Sequence, residues 1–343
     1  MNSLERVVAA LERRQPDRVP FFEIVIDERV IEALLPGADY FEFNDWIGLD
    51  VATMNRGSWS KDNVDMVDEE RGLFRDQWGI IRAFGTESTP VPIEGPIKRP
   101  EDLKTYQPPD PYAEGALGNL PEVIERYKGK KAVAAMGRDA YFNPAFLRGA
   151  TQFLMDMVDN PRLVHELIDV TLSHDIPLMQ RMVEAGCNVV VFGDDYADKN
   201  STLMSPKHFR EFILPGLKRC VDAAHEAGAY VVKHTDGNIM GVLDMIVETG
   251  IDGLNPLEPA AGMDIRLIKE RYGDRIALVG NIDCGYVLSQ APVDEVRRAT
   301  RQTIETAKPG GGYCLSSSNS IHSSVRPENL MAMVETLREW GDY

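Results

Sequence analysis

No stretch of this sequence approaches the roughly 18 consecutive apolar residues that a membrane-spanning helix needs. The opening segment, MNSLERVVAALERRQPDRVP, has charges along its whole length. It reads as an amphipathic helix and lacks the uninterrupted apolar centre of a secretory signal, so a cytoplasmic location is expected. Cysteine is scarce, with four residues at 187, 220, 284 and 314 and no C-x-x-C pair. Such wide spacing in a chain this long excludes a disulfide framework; Cys187 and Cys220 read as core thiols. Basic charge is also short. Against 54 Asp and Glu stand 37 Lys and Arg, a net charge of −17, which excludes a broad surface for nucleic-acid phosphates. No G-x-G-x-x-G follows an expected strand, which argues against a dinucleotide-binding fold. Gly310-Gly311-Gly312 precedes its strand and reads as a tight turn.

What the chain does have is material for a large core, 343 residues at 43% hydrophobic, and a regular alternation of two periodicities. Short β-branched runs start at Val19, Val51, Ala132, Val189, Tyr230, Gly253, Ile276 and Gly312. Between most of them lie helical patterns, at 144–158, 161–185, 206–227, 239–248, 264–272, 293–307 and 327–340. Strands alternating with helices imply βαβ units and a parallel sheet. Eight of them predict an α/β protein, a (β/α)8 barrel over 1–343 as one domain, with an added N-terminal helix. Residues 59–98 break the pattern with short alternating segments, and a β-hairpin insertion is expected there. Its apolar residues Leu73, Phe74, Trp78, Ile80 and Ile81 divide between packing on the barrel and forming a docking or homodimer patch at the rim.

In a barrel the carboxyl ends of the strands carry the active face. The expected strand ends bring Glu23, Arg56, Arg138, Asp194, Asp195, His234, Asp236, Glu258, Asp283, Cys284 and Asn319 there. The stretch YVVKHTDGN is central: a buried strand ends on His234, and Asp236, two residues on, points to the same side. His234, Glu258 and Cys284 come from three successive strands. An imidazole, a carboxylate and a thiolate suit Zn2+ with one coordination position left open. Of the adjacent pair Asp194 and Asp195, one is expected to face the pocket and the other to cap the following loop. Ser316 to Asn319 offer hydroxyls and an amide to a polar substrate or cofactor, and no histidine is spaced to activate the serines.

The blocks MDMVDNPRLVHELID, FGDDYADKNSTLMSPKHFREFILPGLKR, HTDGN, GLNPLEP, LVGNID and RPENL, in that order, resemble the uroporphyrinogen decarboxylase superfamily. The resemblance implies a (β/α)8 barrel and one of two activities. One is decarboxylation without a cofactor; the other is zinc-dependent methyl transfer with a corrinoid protein or coenzyme M. Where the decarboxylases carry an arginine-rich segment after the first strand, this chain has Glu23, Asp27 and a single Arg29, and their histidine near the last strand is Asn319. The methyltransferase motif H-x-C is matched by His234 and Asp236, and its later cysteine again by Asn319. The resemblance therefore implies a zinc site rebuilt from Asp236, Glu258 or Cys284 beside His234. The implied function is zinc-assisted methyl transfer from a small O- or N-methylated substrate to a corrinoid protein. Asp194, Asp195 and Asp236 are then the candidate catalytic groups, and Glu23, Arg56, Arg138 and Asn319 the candidate substrate contacts. The alternatives are a decarboxylase of a porphyrinogen or another acidic substrate, and a non-catalytic binding subunit.

Overall fold

Seven short strands, each buried on both faces, organise the molecule. In the computed structural model, which describes residues 1–54, 64–85 and 89–343, they are β1 (Val51–Thr53), β6 (Ala132–Gly137), β7 (Val189–Gly193), β8 (Tyr230–His234), β9 (Gly253–Asn255), β10 (Ala277–Ile282) and β11 (Tyr313–Ser317). They pair in parallel in that order. Side chains alternate between two layers, as the pleat requires. Val51, Ala132, Ala134, Val189, Val191, Val232, Ala277, Val279 and Cys314 share an inner cluster. Val190, Val231, Leu254, Leu278 and Leu315 pack outward with the helices. The N-terminal helix Ser3–Leu11 is fixed by a reciprocal cap between Asn2 and Glu5 and adds Val7, Ala10 and Leu11 to the inner cluster. Arg6 anchors it to Asp50, one residue before β1, at 2.7 Å. This helix therefore lies against the amino ends of the strands and leaves the carboxyl ends open.

The first expected strand does not form a regular ladder. Residues 19–26 make only isolated parallel bridges, Phe21 with Leu315 and Ile26 with Ile321. Pro20 lacks an N–H and cannot donate to a ladder. The segment nevertheless lies between the two edges of the sheet: Phe22 donates to Leu315 O, Asp50 to Phe21 O, and Thr53 Oγ1 to Ile24 O. The observed sheet is thus seven-stranded rather than eight-stranded. The helix expected over 144–158 is two helices, Phe142–Arg148 and Ala150–Asp159, parted at Gly149, whose φ is +88°. Helices Pro161–Ala185, Val293–Ala307 and Pro327–Trp340 fall where the periodicity places them. No described helix is long and apolar enough to cross a membrane.

The insertion is more than a hairpin. Strands β2 (Asp65–Asp68), β3 (Leu73–Arg75), β4 (Ile81–Ala83) and β5 (Val91–Glu94) form a separate antiparallel sheet. Phe74, Trp78 and Ile80 are buried, so the expected aromatic docking patch is not present at these residues. The cause is local. Asp76 accepts hydrogen bonds from the N–H groups of Trp78 and Ile80 and from Arg82 Nε, closing a turn that directs Trp78 inward. There its ring meets His174 edge-on at 4.7 Å. Among the described residues of this sheet, the large apolar side chains left exposed are Val67, Val91 and Ile93.

Candidate metal centre

β8 delivers two unlike side chains to two unlike places. His234 follows Val232 on the inner face and stands at the strand's carboxyl end, between Gly193 of β7 and Asn255 of β9. Asn255 Nδ2 donates to Val279 O at 3.0 Å, which turns its oxygen toward the imidazole. His234 Nδ1 therefore carries the hydrogen and donates to Asn255 Oδ1 at 2.6 Å. Nε2 is the ring nitrogen turned toward the site. An outer partner that fixes the tautomer in this way is typical of metal-binding histidines.

Two carboxylates face that nitrogen. Asp236 Oδ1 lies 3.6 Å from it and Asp195 Oδ1 3.9 Å. Asp195 Oδ1 is held by the Asp236 N–H at 2.9 Å, and Asp236 Oδ2 accepts from Asn319 Nδ2 at 2.6 Å. Asp236 Oδ1 is buried with no hydrogen-bond partner among the described residues. Burial pushes the Asp236 carboxyl up to about 6, with Asp195 and Glu258 adding to the rise and His234 and Asn319 opposing it. A buried carboxylate oxygen without a partner costs free energy unless a proton or a cation meets it. Asp195, His234 and Asp236 offer ligand atoms within 4.8 Å of one another, and this set of oxygen and nitrogen donors is one that Zn2+ accepts.

A family model described as uroporphyrinogen decarboxylase (URO-D) matches residues 75–340. The chain belongs to the uroporphyrinogen decarboxylase family. Its curated relatives carry two activities in their names. The uroporphyrinogen decarboxylase of Thioalkalivibrio sulfidiphilus is 28% identical over 192 residues, 54% of this chain and 51% of that protein. The methylcobamide:CoM methyltransferase MtaA of Methanosarcina barkeri is 28% identical over 188 residues, 55% of this chain and 52% of that protein. The chain thus spans about half the length of these two relatives. A solved methyltransferase from Methanosarcina mazei shares the fold at a TM-score of 0.78, with 21% identity and 99% of both chains covered.

The remaining candidates in this URO-D family member sort by what they touch. Of the metal trio expected from sequence, His234 is in the cluster, whereas Glu258 and Cys284 stand outside it. Glu258 accepts from the N–H of Gly237 at 3.0 Å and acts on the site through its charge. Gly237 sits at φ +81°, with no room for a side chain against Asp198 O at 2.5 Å. Cys284 is buried, its thiol is pushed up to about 12 by burial, and its sulfur faces the carbonyls of Ile282 and Asn319. Asp194 and Asp195 do point apart. Asp194 is fully buried and caps the backbone N–H groups of Tyr141 and Phe142 at 3.1 and 2.8 Å. Arg138 lies beside it, donating to Gly193 O and 3.4 Å from Asp194 Oδ1, with its guanidinium over the Phe142 ring. Arg56 lies outside the described residues.

Glu23 is buried, and hydrogen bonds from Ser316 and Ser317 only partly offset the desolvation that pushes it up to about 8. A carboxyl raised by folding leaves the unfolded chain to ionise first, so stability declines as pH rises from the ordinary value near 4.5 and levels off above about 8. Glu23→Gln removes this slope. Relative to the parent, the variant is expected to gain on the order of 3 kcal/mol between about pH 4.5 and pH 7. Urea midpoints of both proteins across that range check it, and parallel curves would contradict it.

One buried network was not anticipated. Lys233 precedes His234, so it points to the opposite layer, and both it and Asp139 are fully buried. Lys233 Nζ donates to Asp139 Oδ2 at 2.7 Å, Asp194 O at 2.8 Å and Phe192 O at 3.3 Å. The Tyr196 hydroxyl donates to Asp139 Oδ1 at 2.7 Å, and Lys233 Nζ lies 4.1 Å from the centre of its ring. Burial and Asp194 push the Asp139 carboxyl up, while Lys233 and Tyr196 pull it back. By gripping the Asp194 carbonyl, Lys233 fixes the chain that carries Asp195. The available signal was parity: a lysine on the outward side of a wholly buried strand requires a buried partner.

Proposed function

We propose that this protein is a zinc-assisted methyltransferase that moves a methyl group from a small O- or N-methylated donor to a corrinoid carried by a partner protein. The observation that carries this reading is the buried Asp236 Oδ1, without a hydrogen-bond partner among the described residues and facing His234 Nε2, with Asp195 alongside. Relatives named as methylcobamide:CoM methyltransferases support it. The reading takes the sheet, with residues 19–26 in the eighth place, as a closed (β/α)8 barrel whose carboxyl ends form the cleft.

Asp195, His234 and Asp236 would hold the ion. Bound there, Zn2+ would supply Lewis acidity toward the oxygen or nitrogen that releases the methyl group. The chain's own residues prepare this site. Asn255 sets the tautomer of His234, Asn319 orients Asp236, and the Asp236 N–H orients Asp195. Arg138, half-buried at the same strand ends, is the cation that would meet an anionic part of the donor. Asp194 is enclosed and would act by holding the backbone rather than by touching substrate. Titrating Zn2+ into chelator-treated protein by calorimetry tests the reading. Binding of about one equivalent per chain is expected, and an absence of binding removes it.

The decarboxylase reading is favoured by the names of other relatives, including that of Hydrogenovibrio crunogenus, 24% identical over 278 residues. The first segment opposes it. Glu23 and Asp27 are acidic, and Arg29 closes a two-point ion pair on Asp27 at 2.9 Å. Glu23 is buried and Arg29 is engaged on Asp27, so this segment lacks the run of cations that a substrate bearing many carboxylates would need. No turnover of uroporphyrinogen is expected, and an assay detecting conversion of its acetate side chains to methyls would reverse the choice.

A further inference from the structure

One buried carboxyl that the proposed chemistry leaves unused is Glu23, which is 2% exposed. Among the described residues no cation pairs with it; its partners are Ser317 N at 2.6 Å, Ser317 Oγ at 2.8 Å and Ser316 Oγ at 3.3 Å. Ser317 Oγ also lies within hydrogen-bond reach of Asn319 O. That serine has one hydrogen to give, and a backbone carbonyl can only accept. Ser317 therefore donates to Asn319 O, and the hydrogen between Ser317 and Glu23 comes from Glu23. The carboxyl is a neutral acid by geometry, in agreement with its burial.

The chain of contacts continues to the surface. Asn319 Oδ1 accepts from the Ser320 N–H at 2.6 Å, so its amide nitrogen is turned toward Asp236. Asn319 is exposed, so whether its amide reaches Asp236 depends on where its backbone is placed, and that backbone is held from within through Asn319 O. The Cys284 thiol, facing Asn319 O at 3.8 Å, adds a weak second grip. We propose that Glu23 is a positioning residue: as a neutral acid it fixes Ser317, Ser317 fixes the Asn319 peptide, and Asn319 holds Asp236 in the candidate metal centre. The titratable groups that face Glu23 are Cys284 and Tyr313, both raised by burial, so neither supplies a charge to it near neutral pH. The proposal rests on the reading of Asp236 as a metal ligand, and its test has one arm that does not.

In metal-free, 15N-labelled protein, the side-chain amide pair that disappears in Asn319→Ala identifies Asn319. That pair is expected to keep its hydrogen-bonded shift in Glu23→Gln, which can still donate to Ser317. In Glu23→Ala and Ser317→Ala it should move to the position of a solvated amide. In parallel, Zn2+ affinity should fall about 10-fold or more in Glu23→Ala, the scale of losing an outer-shell partner, and stay within about threefold in Glu23→Gln. An unmoved amide in both alanine variants overturns the proposal, as does Glu23→Gln behaving like Glu23→Ala. If wild-type protein binds no Zn2+, the metal reading fails while the amide arm still decides the positioning role. Circular dichroism of each variant shows whether it is folded, and Ser317→Ala carries the test if Glu23→Ala is not.

Discussion

Lys233→Met should lower the unfolding free energy by about 3–5 kcal/mol, the cost of leaving a buried charge without its partner. The substitution preserves length and apolar bulk, so the loss reports the three hydrogen bonds of the ammonium rather than a cavity. Asp139 would be left against Asp194 with the Tyr196 hydroxyl and the Ala140 N–H, both on Oδ1, and nothing on Oδ2 among the described residues. It would regain neutrality by taking up a proton; since Asp139 is already raised to about 7 in the parent, the loss should be smaller below that pH and grow as pH rises above it. The double variant Lys233→Met/Asp139→Leu, which removes both charges, is expected to recover much of the deficit. Chemical denaturation of the three proteins measures this. A single variant within about 1 kcal/mol of the parent would show that the pair is not the clamp described.

That lysine also illustrates what was legible in the sequence. Short apolar, β-branched runs placed β6, β7, β8, β10 and β11 within a residue or two of their observed limits, because a strand covered on both faces is written as an apolar run. The same pattern misread residues 19–26, where Val19, Phe21 and Phe22 are buried as a strand would be. There the missing donor of Pro20 and the neighbouring edges decide the backbone, and neither shows in a hydropathy pattern. In the insertion, the sequence left Trp78 open between packing on the barrel and a rim patch; the Asp76 turn, which a hydropathy pattern does not show, directs it inward.

In the site, alternation was a guide past some strand ends and not past others. His234 and Asp236 face one centre although Asp236 lies two residues past the end of β8, and the adjacent Asp194 and Asp195 point apart just past β7. Cys284 also lies two residues past its strand, β10, and its thiol is directed at Asn319 O instead of His234. The path of the backbone beyond the strand decides which holds, and alternation does not report it. The Glu23–Ser317–Asn319 chain joins residues 294 positions apart, a contact that only the fold supplies.

The regrouping of the site makes a sharp expectation for metal binding. His234→Ala removes the only nitrogen ligand of the described cluster, and Asp236→Asn replaces the anionic carboxylate that owns the unpartnered oxygen. Each should weaken Zn2+ binding by about 100-fold or more, at or beyond the top of the range for losing an outer-shell partner. Methyl transfer to an added corrinoid should fall with it. Cys284→Ala should keep the metal, since its sulfur faces the carbonyls of Ile282 and Asn319 and stands outside the Asp195, His234 and Asp236 cluster. Cys314→Ala, in the inner cluster, should cost about 1 kcal/mol of stability and leave the metal untouched. Calorimetry and elemental analysis of the four variants separate the alternatives. Loss of zinc in Cys284→Ala with retention in Asp236→Asn would restore the thiolate site expected from the sequence and remove the carboxylate site argued from the structure.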